Sequence, residues 1–123
     1  MLDIDDLKEY NDQYGHQYGD EILKTAANFM AKEVGFENIC RYEGEEFLAL
    51  LPAGSLDEIG GMAENLKRAL NDFGSQRGTP ELTVSIGAAP KGELTFYETL
   101  PAADTRLCAA KNGGKNKTSC KFT

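Results

Sequence analysis

The sequence predicts an α+β fold: a ferredoxin-like, palm-like βαββαβ core whose mostly antiparallel central sheet carries packed helices. Three observations predict it. Apolar positions alternate between a period of two and a helical period along the chain, giving the order β-α-α-β-β-α-β-α-β. Within that order lies a β-α-β-β-α-β stretch, the split-βαβ plan, which puts the first strand in the middle of the sheet beside a hairpin strand. Hairpin and crossover connections are mixed, which argues against a purely parallel, doubly wound sheet. The 123 residues, 41% hydrophobic and 27% charged, suffice for one core and so for a single domain over 1–123.

Each element has its own warrant. In Met1 to Asp5, Leu2 and Ile4 alternate with Asp3 and Asp5, a strand pattern. The chain opens inside that strand, which predicts a domain truncated at its N-terminus. Asp6 to Gln13 is short, polar and helix-compatible, and Tyr14-Gly15-His16 breaks it. Gly19-Asp20 is expected to open a long helix with Asp20 as N-cap; Ile22, Leu23, Ala26, Phe29, Met30 and Val34 form its apolar face, and Gly35 ends it. Ile39 to Tyr42 and Phe47 to Leu51, joined across Glu43-Gly44-Glu45-Glu46, read as a hairpin. Leu56 to Phe73 is helical, Gly74 to Pro80 a loop, and Leu82 to Ala89 a strand ending in small residues. Pro90 to Thr99 reads as irregular. Leu100 to Asn112 reads as a helix capped by Gly113-Gly114, and Lys117 to Phe122 as a last strand.

Charge narrows the function classes. Thirteen basic against twenty acidic residues give a net charge of −7, so no broad basic face exists to bind nucleic acid. No apolar run approaches the roughly 18 residues a membrane span needs, and no leader precedes a cleavage site. A cytoplasmic domain without membrane contact of its own is expected, free or as part of a membrane-anchored parent. Cys40, Cys108 and Cys120 show no metal or redox spacing and are expected to be reduced, buried, small hydrophobes. With His16 as the only histidine, any metal chemistry must use carboxylates.

Asp3 on the first strand and Glu45 and Glu46 at the hairpin tip are placed by the split-βαβ plan at one end of the sheet. Carboxylates on adjacent strand ends make a hard-oxygen site suited to Mg²⁺ or Mn²⁺ and not to Zn²⁺. A solvated acidic hairpin tip is the plainer reading of the same residues. A second cluster, Lys111-Asn112-Gly113-Gly114-Lys115-Asn116, either complements a helix C-terminus or clamps phosphate beside the metal site. Lys8 is a third cation, and backbone amides at Asp6 and Leu7 open a helix, where phosphates are favoured.

These segments carry a resemblance. D-I-D-D-L-K-E-Y-N-D (3–12), Y-G-H-Q-Y-G-D (14–20), R-Y-E-G-E-E-F (41–47), L-T-V-S-I-G (82–87) and A-A-D-T-R-L-C-A-A-K-N-G-G-K-N (102–116) run in the order and register of a known family. The chain resembles the GGDEF domain of bacterial diguanylate cyclases over nearly its whole length. The resemblance implies a nucleotidyltransfer in which two GTP molecules become cyclic di-GMP with release of pyrophosphate. It implies Asp3, Glu45 and Glu46, with the Ile4 carbonyl, as Mg²⁺ ligands and reaction-centre residues, Glu46 sometimes taking a proton. It implies Asn11 and Asp20 on the guanine edge, and Asp6, Leu7, Lys8, Lys111 and Lys115 on the phosphates. It further implies a homodimer for turnover, governed by an upstream sensory or dimerising module. For Asn11 and Asp20, helix capping or turn chemistry is the alternative.

The sequence also departs from the pattern. Glu43 stands where the signature has glycine; aimed at a polyphosphate about 4 Å away it would cost roughly 1–4 kcal/mol, and aimed at solvent little. Lys115 stands where arginine is usual and lacks the bidentate fork. Leu7 replaces phenylalanine. Val34 to Glu37 lacks the arginine of the product-inhibition motif, so no feedback site of that kind is expected. Glu43 and Lys115 leave an alternative, a catalytically degenerate domain that binds GTP or a protein partner as a regulator.

Overall fold

Period-two alternation in the first strand sends Leu2 and Ile4 to one face of the sheet and Asp3 and Asp5 to the other. The computed structural model, which describes residues 1–76 and 82–119, builds two layers of helix on that division. The elements are β1 (Leu2–Ile4), α1 (Leu7–Tyr14), α2 (His16–Val34), a 3₁₀ turn (Phe36–Asn38), β2 (Ile39–Glu43), β3 (Glu46–Ala49), α3 (Leu56–Gln76), β4 (Val84–Gly87), α4 (Phe96–Asn112) and β5 (Thr118–Ser119). The sheet order is β2-β3-β1-β4-β5. β1 is central and antiparallel to both β3 and β4, and only β4 and β5 run parallel. The predicted α+β class and element order therefore stand.

Leu2, Ile4, Phe47, Val84 and Ile86 pack with Ile22, Ala26 and Met30 of α2 and Leu66 and Leu70 of α3. On the other face Met1 and Leu48 meet Ala103 and Leu107 of α4. That second layer lies close to the sheet: a Cβ on Gly87 would stand 2.1 Å from the Leu107 nitrogen and 2.3 Å from the Ala103 oxygen. Only glycine fits there, which accounts for the small residues read at the strand's end.

Several boundaries differ from the sequence expectation. α2 begins at His16, not Gly19, because Gly15 takes a positive φ of 93° and turns the chain between two helices. Asp20 is thus inside the helix and caps nothing. α4 begins at Phe96, four residues early, nucleated by a reciprocal capping box between Thr95 and Glu98. α3 continues to Gln76, past the predicted Phe73. The last strand is Thr118–Ser119, and the remainder of its predicted span reaches outside the described residues, as does Cys120. Cys40 and Cys108 are exposed rather than buried. β2 is an edge strand exposed over residues 40–43, and Cys108 lies beside Leu107 on the outward side of α4.

Candidate functional site

β1 and the β2–β3 hairpin bring the predicted acids together through register. Asp3 pairs across β1 and β3 with Glu46 and across β1 and β4 with Ser85. Cross-strand partners share a face, so Asp3 and Glu46 stand side by side on the α4 side of the sheet. Glu45 lies in the adjoining turn. That turn needs one left-handed residue, Gly44 at φ 53°. The strained position is 44, not 43: Glu43 is the last residue of β2 and its side chain is exposed. Glu43 pairs in register with Glu46, and its charge is among those that raise the Glu46 carboxyl.

Asp3 is 2% exposed. Its Oδ2 accepts a hydrogen bond from Lys111 Nζ, delivered from the last turn of α4. Its Oδ1 is buried with no hydrogen-bond partner among the described residues. Burial pushes the Asp3 carboxyl above its ordinary range, against the lowering effect of Lys111. Burial also raises Glu45 and Glu46, and the Asp3 charge raises both further. Burial alone would lower the Lys111 ammonium; its bond to Asp3 and the charges of Glu46 and Glu45 leave it raised.

Three acids raised together mark a site with more negative charge than the protein around it neutralises. The donor set fits a divalent cation: hard oxygens, one of them buried and unpaired. Among the described residues no group of three or more His, Cys, Asp or Glu is gathered tightly enough to hold an ion by side chains alone. The arrangement suits an ion that takes one or two carboxylates and fills its shell with water and phosphate, as Mg²⁺ does. Ile4 has its side chain in the core, so only its backbone faces this chemistry.

The chain leaving β1 supplies the neighbouring groups. Asp6 is left-handed at φ 59° and turns the chain into α1. Leu7 is buried, so it offers its amide, while Lys8 is exposed on the first turn. Lys115 Nζ pairs with Asp6 Oδ1, and that contact raises the Lys115 ammonium. Both lysines of the expected phosphate clamp are thus at the acidic end of the sheet, each engaged by an acid of the β1 end.

Asp5 was not singled out by sequence. It is buried and accepts from Thr83 Oγ1 at 2.6 Å, Ser85 Oγ at 2.6 Å and the Asn116 amide at 2.9 Å. It ties the Lys115–Asn116 loop, with φ of 64° and 47°, to β1 and β4. Lys67 and Asn71 of α3 hold Asn116 from the other side. The alternation that marks β1 as a strand also hid Asp5, because an outward-facing acid is what a half-solvated strand would show.

Asn11 and Asp20 lie apart from the carboxylates, where α1 packs on α2. Neither performs the local backbone work that would otherwise explain it. Asp20 is exposed within α2, and Asn11 lies inside α1 with a buried Oδ1 that has no hydrogen-bond partner among the described residues. An apolar pocket of about 140 Å³ lies toward the start of β1, away from the acids, lined by Leu48 to Leu51, Gly87 to Ala89 and residues of α3 and α4. Among the described residues no helix is long and apolar enough to cross a membrane.

Comparison with known proteins agrees with the fold. The family described as "Diguanylate cyclase, GGDEF domain" matches residues 1–117. The probable diguanylate cyclase DgcF of Escherichia coli K12 is 39% identical over 97% of the chain, which spans 41% of that protein's length. Among solved structures, the GGDEF domain of DgcB from Caulobacter crescentus, in complex with c-di-GMP, aligns with a TM-score of 0.81 and 30% identity over 97% of this chain and 74% of that one. The diguanylate cyclase SiaD of Pseudomonas aeruginosa, in complex with its activator SiaC, aligns with a TM-score of 0.83 and 32% identity over 98% of this chain and 48% of that one.

Proposed function

The chain belongs to the diguanylate cyclase GGDEF domain family, and from that premise we propose that it condenses two GTP molecules into cyclic di-GMP. The observation that carries this reading is the Asp3–Glu46 register pair, with Asp3 Oδ1 buried and unpaired and Lys111 on the other oxygen. Asp3, Glu45 and Glu46, with the Ile4 carbonyl, would hold Mg²⁺ or Mn²⁺. A divalent ion bound there would lower the pKa of the attacking hydroxyl and neutralise charge on the leaving pyrophosphate.

The residues of the chain do the rest. Asp6 and Leu7 amides, with Lys8, Lys111 and Lys115, hold the β- and γ-phosphates. Asp20 accepts from the N1 and N2 donors of guanine, and Asn11 completes the edge; adenine would leave both unsatisfied. Glu46, raised by burial and by Asp3, is suited to accept the proton of the 3′-hydroxyl. Each 3′-oxygen forms a bond to the α-phosphorus of the other GTP, and each α–β phosphoanhydride breaks to release pyrophosphate. Because one chain holds one GTP, two chains must meet, and an upstream sensory or dimerising module in the parent protein would control that meeting. GTP is a cytosolic nucleotide, so the domain would work in the cytoplasm.

The test is turnover. The chain, fused to a dimerising coiled coil, is given GTP and Mg²⁺, and the products are separated by chromatography. Cyclic di-GMP is expected, and its loss on Asp3→Ala or Glu45→Ala. No product, beside an active relative treated identically, would refute the proposal.

A further inference from the structure

We propose that Gly19 is a positioning residue for base recognition: its missing side chain makes the room in which Asn11 lies across α2. The inference rests on the reading of Asn11 as a guanine contact given above. A Cβ built on Gly19 would stand 1.6 Å from Asn11 Oδ1, 2.7 Å from its Cγ and 3.4 Å from its Nδ2. The whole amide head therefore lies over the bare Cα of residue 19. Those three atoms are the nearest a Cβ would meet, so a methyl group there displaces Asn11 first.

Nothing else about residue 19 calls for glycine. It sits within α2, one turn from the helix start, and its backbone is not left-handed. Alanine is the better helix former at such a position. A glycine kept for helix stability would be replaced at a gain, whereas a glycine kept for Asn11 would be replaced at a loss of recognition alone. Asn11 Oδ1 is buried and lacks a hydrogen-bond partner among the described residues, so no bond to that oxygen holds the amide in place there. Packing against the bare helix backbone supplies that restraint, and it brings Asn11 beside the residue preceding Asp20.

Gly19→Ala separates the two roles. Wild type, Gly19→Ala, Asn11→Ala and the double variant of the 123-residue chain are titrated with GTP and with ATP in Mg²⁺, and melted without nucleotide. Wild type is expected to prefer GTP. Gly19→Ala is expected to melt no lower than wild type, to bind GTP roughly tenfold more weakly, the scale of one lost hydrogen bond, and to lose most of the preference over ATP. If Gly19 acts through Asn11, adding Gly19→Ala to Asn11→Ala changes nothing further. A Gly19→Ala variant that keeps the GTP preference, melts lower, or still weakens binding in the Asn11→Ala background overturns the inference and leaves the guanine reading intact. A wild-type chain that does not distinguish GTP from ATP overturns both, and shows it before any variant is compared.

Discussion

Asp5, just past β1, and Glu46, paired with Asp3 across β1 and β3, are acids whose environments give them opposite consequences. Asp5 has two hydroxyls and an amide donating to it, so its charge is solvated by the protein. Asp5→Ala abandons three donors at once and is expected to cost about 3 kcal/mol, read as a lower denaturation midpoint in urea. An unchanged midpoint would mean that the Lys115–Asn116 loop is held by α3 alone. Glu46 has burial and the Asp3 charge against it, and its folded pKa lies above the ordinary 4.5. Between those two values the folded chain binds more protons than the unfolded one, so stability falls as pH rises through that window and stays lower above it. Glu46→Gln removes this penalty. The variant is expected to melt a few degrees above wild type at pH 7, with the gap closing as pH is lowered toward 4. A variant that melts lower than wild type at pH 7, or a gap that does not change with pH, would contradict that account.

At the scale of elements, the close approach of α4 to β4 is the tightest constraint in the fold. Gly87→Ala drives a methyl group into the backbone of α4, which cannot move aside as a side chain can. A loss of roughly 3 kcal/mol is expected, at the upper end of overpacking costs, with α4 displaced and Lys111 drawn off Asp3. The thermal midpoint reads the first effect and GTP affinity the second; a midpoint equal to wild type would show that β4 and α4 can separate freely. The same constraint shows what sequence could and could not reveal. Leu2, Ile4 and Phe47 were legible as core positions because they share the face that α2 and α3 cover, and their spacing placed Asp3 beside Glu46. The edge position of β2 was not legible, since nothing local says whether a strand has a second neighbour, and Cys40 was misread for that reason. The start of α4 was legible in principle, since Thr95 and Glu98 have capping-box spacing. Asn11 and Gly19 met across two helices, a contact that only the packing of α1 on α2 reveals.

At the scale of the whole molecule, the acids occupy one end of the sheet on the α4 side, and each chain has one such set. A reaction that joins two nucleotides, each held by its own domain, is second order in protein whenever the domains are mostly apart. Each chain also carries a net charge of −7, so two of them approach against repulsion that salt screens. For the dilute 123-residue chain with GTP and Mg²⁺, any initial rate of cyclic di-GMP formation is therefore expected to rise about fourfold when the protein is doubled. It is also expected to increase with added salt until screening is complete. Fusion to a coiled coil makes the encounter intramolecular, so the rate should become proportional to protein and lose most of its salt dependence. A rate already proportional to protein in the unfused, dilute chain would mean either that the domains pair tightly by themselves or that one chain completes the reaction. Equilibrium sedimentation at the assay concentration separates these: a stable dimer preserves the two-domain mechanism, and an active monomer excludes it.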